Sequence, residues 1–283
     1  MSMKKHLTKL LVGFLTIFFL GCGNVPLTGR KQMLLVSDQE VLTLSLQQYG
    51  EFINSAPLST DKGNTALVEK VGRRIANAVE TYLKNHGYES ELSGYQWEFH
   101  LVKSSDVNAF CMPGGKIVVY EGILPVTRDE TGLAVVLGHE VAHAVAKHAN
   151  ERMSQQMALQ YGGAAIGMAL DGKSAAVQNI ASSVYGLGSQ LGMLKYSRNH
   201  ELEADKMGLI FMAMAGYDPR QAEAFWTRMS DASGGSSMEF LSTHPSDNHR
   251  IKDIQKNLSE ALKYYKGINT STPSSKTSSK WSF

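Results

Sequence analysis

Residues 139–143 read His-Glu-Val-Ala-His, inside the stretch LAVVLGHEVAHAV that runs from Leu133 to Val145. Leu133, Val136, Leu137, Val141 and Val145 recur at helical spacing and form an apolar stripe that can bury against a core. On such a helix, positions four apart share a face, so His139 and His143 can grip one metal ion. Glu140 points beside that ion instead of at it, where a base acting on water has to be. Thr127 and Glu130 have the spacing of a capping box, with Asp129 adding negative charge at the helix start. A five-residue motif recurs by chance, and a helix carrying two ordinary histidines is the plain alternative.

Zinc enzymes commonly use three protein ligands and leave one position to water. A third ligand three and six residues beyond the motif would need Gly and His, but Ala146 and Ala149 stand there. His148 follows His143 by five residues, which on a continuing helix turns it off the ligand face. It reads as a surface or packing histidine. A second helix, SRNHELEADKMG from Ser197 to Gly208, offers Glu201 and Asp205 on one face. Glu201 can bind the metal, while Asp205 accepts the N–H of a ligating imidazole and fixes its tautomer. Glu203 falls on another face. A solvated charged face is the bland reading of this segment.

With both segments in view, the chain resembles the HtpX-like, CAAX-prenyl-protease and Oma-type zinc endopeptidases, the family forty-eight metallopeptidases within the gluzincins. The resemblance rests on HEVAH at 139–143 and SRNHELEAD at 197–205, and extends to NAFCMPGGKIVVYEGIL at 108–124 and THPSDNHRI at 243–251. TGRKQMLLVS at 28–37 is similar to the opening segment of the periplasmic and Oma-type branch. It implies an α+β, mainly helical fold with a small mixed sheet beside the active-site helix. It further implies one Zn2+ on His139, His143 and Glu201, with Glu140 as general base.

Composition sets the frame. The chain has 283 residues, 43% of them hydrophobic, enough for one sizeable core or two lobes around a cleft. The net charge is +2, and Lys4, Lys5 and Lys9 contribute three of the positives. No nucleic-acid footprint is present. Residues 1–21 read as a secretory signal, with a basic start and the apolar run Leu10–Leu20. Phe19-Leu20-Gly21-Cys22 resembles a bacterial lipobox, although leucine is usual where Phe19 stands. Cys22 would then carry lipid and hold the enzyme on a membrane surface. Gly23 after it favours the outer membrane, facing the periplasm, by resemblance to lipoprotein sorting. Cys111 is left without a disulfide partner in the chain.

Residues 22–36 read as an extended tether and lead-in. The metallopeptidase domain occupies 37–266, and a Ser/Thr/Lys tail at 267–283 has the composition of disorder. Ser37 and Glu40 open one helix and Asn64 caps the next. Tyr95, Trp97, Phe99 and Leu101 alternate as a half-buried strand. Residues 154–195, rich in Ala, Gly, Met and Ser, read as two loosely held helices near the cleft mouth or as plain packing through small residues. Helices are also expected from Asp218-Pro219 to about Asp231, and from about Asp247 to Tyr265.

Pro113-Gly114-Gly115 turns into a strand over 116–120, read here as the edge on which an extended substrate pairs main chain to main chain. That reading places Gly115, Lys116 and Ile117 at the substrate, with Asn108 and Ala109 beside them by the family pattern. Asn108 is either a substrate-backbone ligand or an ordinary turn asparagine. Main-chain pairing suits unfolded or misassembled envelope proteins as substrates. His244 is left as an oxyanion donor, a fourth zinc ligand that keeps the enzyme latent, or a structural histidine. A zinc-bound chaperone or adaptor with silent or secondary peptidase chemistry is the competing function.

Overall fold

The computed structural model describes residues 22–169, 197–232, 240, 241, 244 and 248–267. The expected signal at 1–21, most of the small-residue region beyond Ala169, the break at Gly234–Ser237 and the tail from 268 lie outside the described residues.

The described residues open with a hairpin, β1 (Cys22–Asn24) antiparallel to β2 (Lys31–Met33). The segment expected to be an extended tether is therefore folded back on itself. Helices α1 (Asp38–Ser55) and α2 (Lys62–Asn85) follow. Ser37 caps α1 by accepting from the Glu40 N–H at 3.2 Å, as its spacing predicts. The cap of α2 is Asp61 and not Asn64. Asp61 accepts from the Asn64 N–H at 2.9 Å, so the helix starts three residues earlier than the asparagine suggested.

Three strands form the main sheet: β3 (Glu98–Val102), β4 (Ala109–Met112) and β5 (Lys116–Tyr120). Their spatial order is β3-β5-β4, with β5 parallel to β3 and antiparallel to β4. Strand 116–120 is thus the centre of the sheet, and the expectation that it forms a free edge is overturned. Its five residues are buried, and Lys116 spends its ammonium on the Gln96 carbonyl at 2.7 Å and on Glu98. β3 and β4 are the sheet's two edges, and among the described residues no strand pairs with the side of β4 that faces away from β5.

A one-turn helix α3 (Leu124–Thr127) leads into α4 (Glu130–Val145). Thr127 does not cap α4. Its hydroxyl bonds the Leu124 carbonyl at 3.0 Å, Arg128 turns the chain at φ 68°, and Asp129 caps the new helix by accepting from the Gly132 N–H at 2.8 Å. Every residue of α4 from Gly132 to Val145 is buried, so the expected single stripe is a helix covered on all sides. The chain continues as α5 (His148–Ala169), α6 (Arg198–Met214), α7 (Gln221–Ala232) and α8 (Asn248–Leu262).

The sheet separates two apolar layers. Leu101, Ala109, Ile117 and Val119 face α2, α4 and α6 through Val71, Ile75, Leu133, Leu137, Met207 and Phe211. Val102, Met112, Val118 and Tyr120 face α1 and α5 through Val41, Tyr49, Phe52, Met153 and Met157. Helices α4 and α6 touch most closely where Gly138 meets Gly208: a Cβ on Gly208 would lie 2.8 Å from the His139 main-chain nitrogen. Two glycines at the crossing let the backbones meet, and that contact brings the acidic face of α6 against the histidines of α4. The architecture is the expected one, mainly helical with a small mixed sheet beside the helix that carries the motif.

Candidate metal centre

His139 and His143 sit one turn apart on α4, and their Nε2 atoms are 3.0 Å from each other. Ser197 caps α6 by accepting from the His200 N–H, and Glu201 lies in the first turn after that cap. Glu201 Oε2 is 3.4 Å from His139 Nε2, and Oε1 is 3.5 Å from His143 Nε2. His244 completes the group, with Nδ1 at 3.1 Å from Glu201 Oε1 and 3.2 Å from His139 Nε2. All four residues are buried, and one ligand atom from each lies within 4.8 Å of the others.

These spacings fit a metal ion. Ligand bonds of about 2.0–2.2 Å in tetrahedral array place the ligand atoms roughly 3.3–3.6 Å apart. The donors, imidazole nitrogen and carboxylate oxygen, are those zinc prefers. Beside them Glu140 Oε1 is buried with no hydrogen-bond partner among the described residues; His244 Nε2 is 3.6 Å away, beyond bonding reach.

The electrostatics follow from burial and from the neighbours. Burial pushes the Glu140 carboxyl up, and nearby Glu201 adds to that against the pull of His244 and His139. A carboxyl raised toward neutrality is suited to taking and returning a proton. Burial would raise Glu201 as well, but His244 and His139 hold it well below the usual carboxylate range. His143 is held well below the usual range by burial and by His139. Burial and Arg250 also oppose the charge on His139, yet hydrogen bonds to Asp205 and Glu201 bring it up to about 9. A metal at its Nε2 must displace that proton, so binding releases acid.

Asp205 stands where the spacing placed it, with Oδ1 at 2.9 Å from His139 Nδ1. Arg250 of α8 stands behind Asp205. It is buried, lies over the Trp226 ring at 3.3 Å from its centroid, and donates two bonds to Asp205, at 2.7 and 2.8 Å. Asn108 is buried, and its Oδ1 accepts from the adjacent Ala109 N–H at 2.8 Å. Gly115 is turned inward, its carbonyl accepting from the Glu98 N–H. Cys111, on β4, has its thiol pushed well up by burial and by Glu140, so it is not a thiolate near neutral pH.

For two residues the helical wheel gave the face but not the surroundings. His148 is fully buried, with Nδ1 at 2.8 Å from His143 Nδ1, so of the surface and packing readings the second holds. The wheel assumed that α4 continues; instead it ends at Val145, Lys147 takes a left-handed φ of 56°, and α5 starts afresh at His148. Glu203 is on another face of α6, as expected, but that face meets His148 at 3.0 Å and not solvent. The left-handed turn is the missed signal, and nothing in the residue type of Lys147 announces it.

The profile of peptidase family M48 matches residues 69–258, which span the sheet, the motif helix and α6. Mitochondrial metalloendopeptidase OMA1 of Schizosaccharomyces pombe is 33% identical over 269 residues, covering 89% of this chain and 71% of the relative. Metalloendopeptidase OMA1 of Homo sapiens is 31% identical over 285 residues, covering 93% of this chain and 52% of its own length. Beta-barrel assembly-enhancing protease of Escherichia coli is 25% identical over 270 residues, with 90% and 52% covered. The chain spans about half the length of the last two relatives.

This chain belongs to peptidase family M48. It is a metalloendopeptidase whose family is zinc-dependent, and its buried His/Glu group can hold one ion.

Proposed function

We propose that His139, His143 and Glu201 hold the zinc ion, that Glu140 is the general base, and that the substrates are unfolded or misassembled proteins of a bacterial cell envelope. The observation that carries the site assignment is the convergence of three donors from two helices, spaced for one ion, beside a buried carboxylate oxygen with no hydrogen-bond partner among the described residues. Zinc bound there supplies Lewis acidity, acidifying water and polarising a carbonyl. Glu140 takes the proton from the attacking water and returns it to the leaving amine. Asp205 and Arg250 hold His139 in place during both transfers.

An extended peptide pairs with the outer edge of β4 in place of strand 116–120. In an antiparallel ladder, alternate residues turn their main-chain groups to the partner strand. The Asn108 carbonyl accepts from the Tyr120 N–H, so Asn108, Phe110 and Met112 face β5, and Ala109 and Cys111 face outward. The Ala109 N–H is taken by Asn108, which leaves the Ala109 carbonyl and both main-chain groups of Cys111 for the peptide. Three backbone groups recognise extended chain and little sequence, which supports a role in quality control. The relative whose name speaks of β-barrel assembly supports the envelope setting.

Lipid on Cys22 anchors the enzyme, with its body in water on the periplasmic side of the outer membrane. The lipobox-like Phe19-Leu20-Gly21-Cys22 supports this reading. Release of the Cys22→Ser protein from membranes tests this, and unchanged sedimentation with membranes defeats it.

Glu140→Gln, purified with zinc still bound, should lose casein cleavage by at least ~100-fold, the scale of removing a general base. Cleavage retained in that variant ends the assignment of Glu140. An inert wild type that still suppresses aggregation of unfolded protein would favour the chaperone reading instead.

A further inference from the structure

Beyond the ligands lies a buried polar chain that runs from His143 to the N-terminal hairpin. His148 Nδ1 is 2.8 Å from His143 Nδ1, and His148 Nε2 is 3.0 Å from Glu203 Oε2. Glu203 also takes a hydrogen bond from the Thr28 hydroxyl and one from Arg30 Nε at 2.7 Å. The same Arg30 donates through Nη1 and Nη2 to Glu151, at 2.9 and 2.7 Å. His200 donates to Glu151 at 3.0 Å, and its ring stacks on His148 with centroids 4.3 Å apart.

The protons on this chain are dictated by its far end. An ionised carboxylate only accepts, so His148 must carry its proton on Nε2 to bond Glu203. Its Nδ1 is then a bare acceptor, and the short contact to His143 requires the proton to be on His143 Nδ1. His143 Nε2 then carries no proton, and its lone pair points to where His139 and Glu201 converge. On His139 the Nδ1 proton is held by Asp205 directly, at 2.9 Å.

We propose that His148 and Glu203 are positioning residues that set the tautomer and tilt of His143 for metal binding, and that Thr28 and Arg30 of the N-terminal hairpin hold this pair in register. The TGR segment at 28–30 is therefore part of the metal centre's frame, although it lies more than a hundred residues before the nearest ligand. The inference rests on the zinc reading above.

The test compares full-length wild type, His148→Phe, His148→Asn and His139→Ala by zinc competition against a chelator. Phe keeps the ring that stacks on His200 but offers no acceptor. Its zinc dissociation constant should rise 10–100-fold, the usual range for losing a residue that orients a ligand, with turnover recovered at saturating zinc. Asn places an amide oxygen near the lost Nδ1 and should recover most of that affinity. Two-bond 1H–15N NMR of metal-free wild type gives a second readout, with His143 expected to carry its proton on Nδ1. Wild-type affinity in His148→Phe overturns the proposal, as does a proton found on His143 Nε2. The NMR result stands even if His148→Phe does not fold. Zinc binding that is absent in wild type, or unaffected by His139→Ala, takes down the metal centre itself.

Discussion

Replacing Gly208 by alanine tests whether the helix crossing sets the metal geometry. The added Cβ would lie 2.8 Å from the His139 nitrogen, 2.9 Å from the Gly138 carbonyl carbon and 3.1 Å from the Gly138 oxygen. All three are backbone atoms of α4, so no side chain can swing aside. Ordinary contact begins near 3.4 Å, and α6 must back away by about 0.6 Å. Overpacking of this kind costs ~1–3 kcal/mol, offset by ~1 kcal/mol of better helix propensity, for a net loss of up to about 2 kcal/mol. The same substitution at Gly50 in α1 is the control, because its Cβ meets nothing within 4 Å. Gly50→Ala should gain up to ~1 kcal/mol. Urea unfolding should thus separate the two variants by about 1–3 kcal/mol in opposite directions. Glu201 rides on α6, its oxygens 3.4 and 3.5 Å from the two imidazole nitrogens. A displacement of that size exceeds the ~0.2 Å tolerance of metal–ligand distances, so zinc affinity should fall as well. A Gly208→Ala protein as stable as Gly50→Ala, or one that binds zinc like wild type, refutes the reasoning.

His244 makes a second test, since its Nδ1 stands among the ligand atoms. As a fourth donor that closes the site it should restrain activity, and His244→Ala should raise peptidase turnover; as an oxyanion donor its loss should cut turnover by ~10²-fold or more. Unchanged rate and unchanged zinc content would leave it a packing residue. Acid stability provides a third. Burial would raise Glu151, but hydrogen bonds from His200 and Arg30 hold it at about 2 against an ordinary 4.5. A carboxyl lowered in the folded state contributes stability above pH ~4.5 that is lost as pH falls toward 2. Arg30→Met removes one of those donors, so acid unfolding followed by circular dichroism should shift its midpoint to higher pH. A midpoint that stays put would show that Arg30 carries no part of this stabilisation.

Much of the centre was legible along the chain. His139, Glu140 and His143 form a local pattern, and one helix suffices to place them on a face. Glu201 and Asp205 obey the same rule on a second helix. The cap at Ser37 and the strand at 116–120 were equally local. The caps at Asp61 and Asp129 were missed because several acceptors stand close together, and which of them turns the chain depends on the approach of what precedes it.

What only the tertiary structure decided is every relation between elements. Strand 116–120 reads as a good strand whether at an edge or in the middle, and its place at the centre of β3-β5-β4 came from pairing. His148 changed role because a left-handed residue at Lys147 broke the helix on which its direction had been reckoned. Thr28, Arg30 and Glu203 came together across more than 170 positions of chain, and no periodicity reports a contact of that length. A sequence specifies the chemistry carried by each helix face; the burial of one face against another selects which chemistries meet.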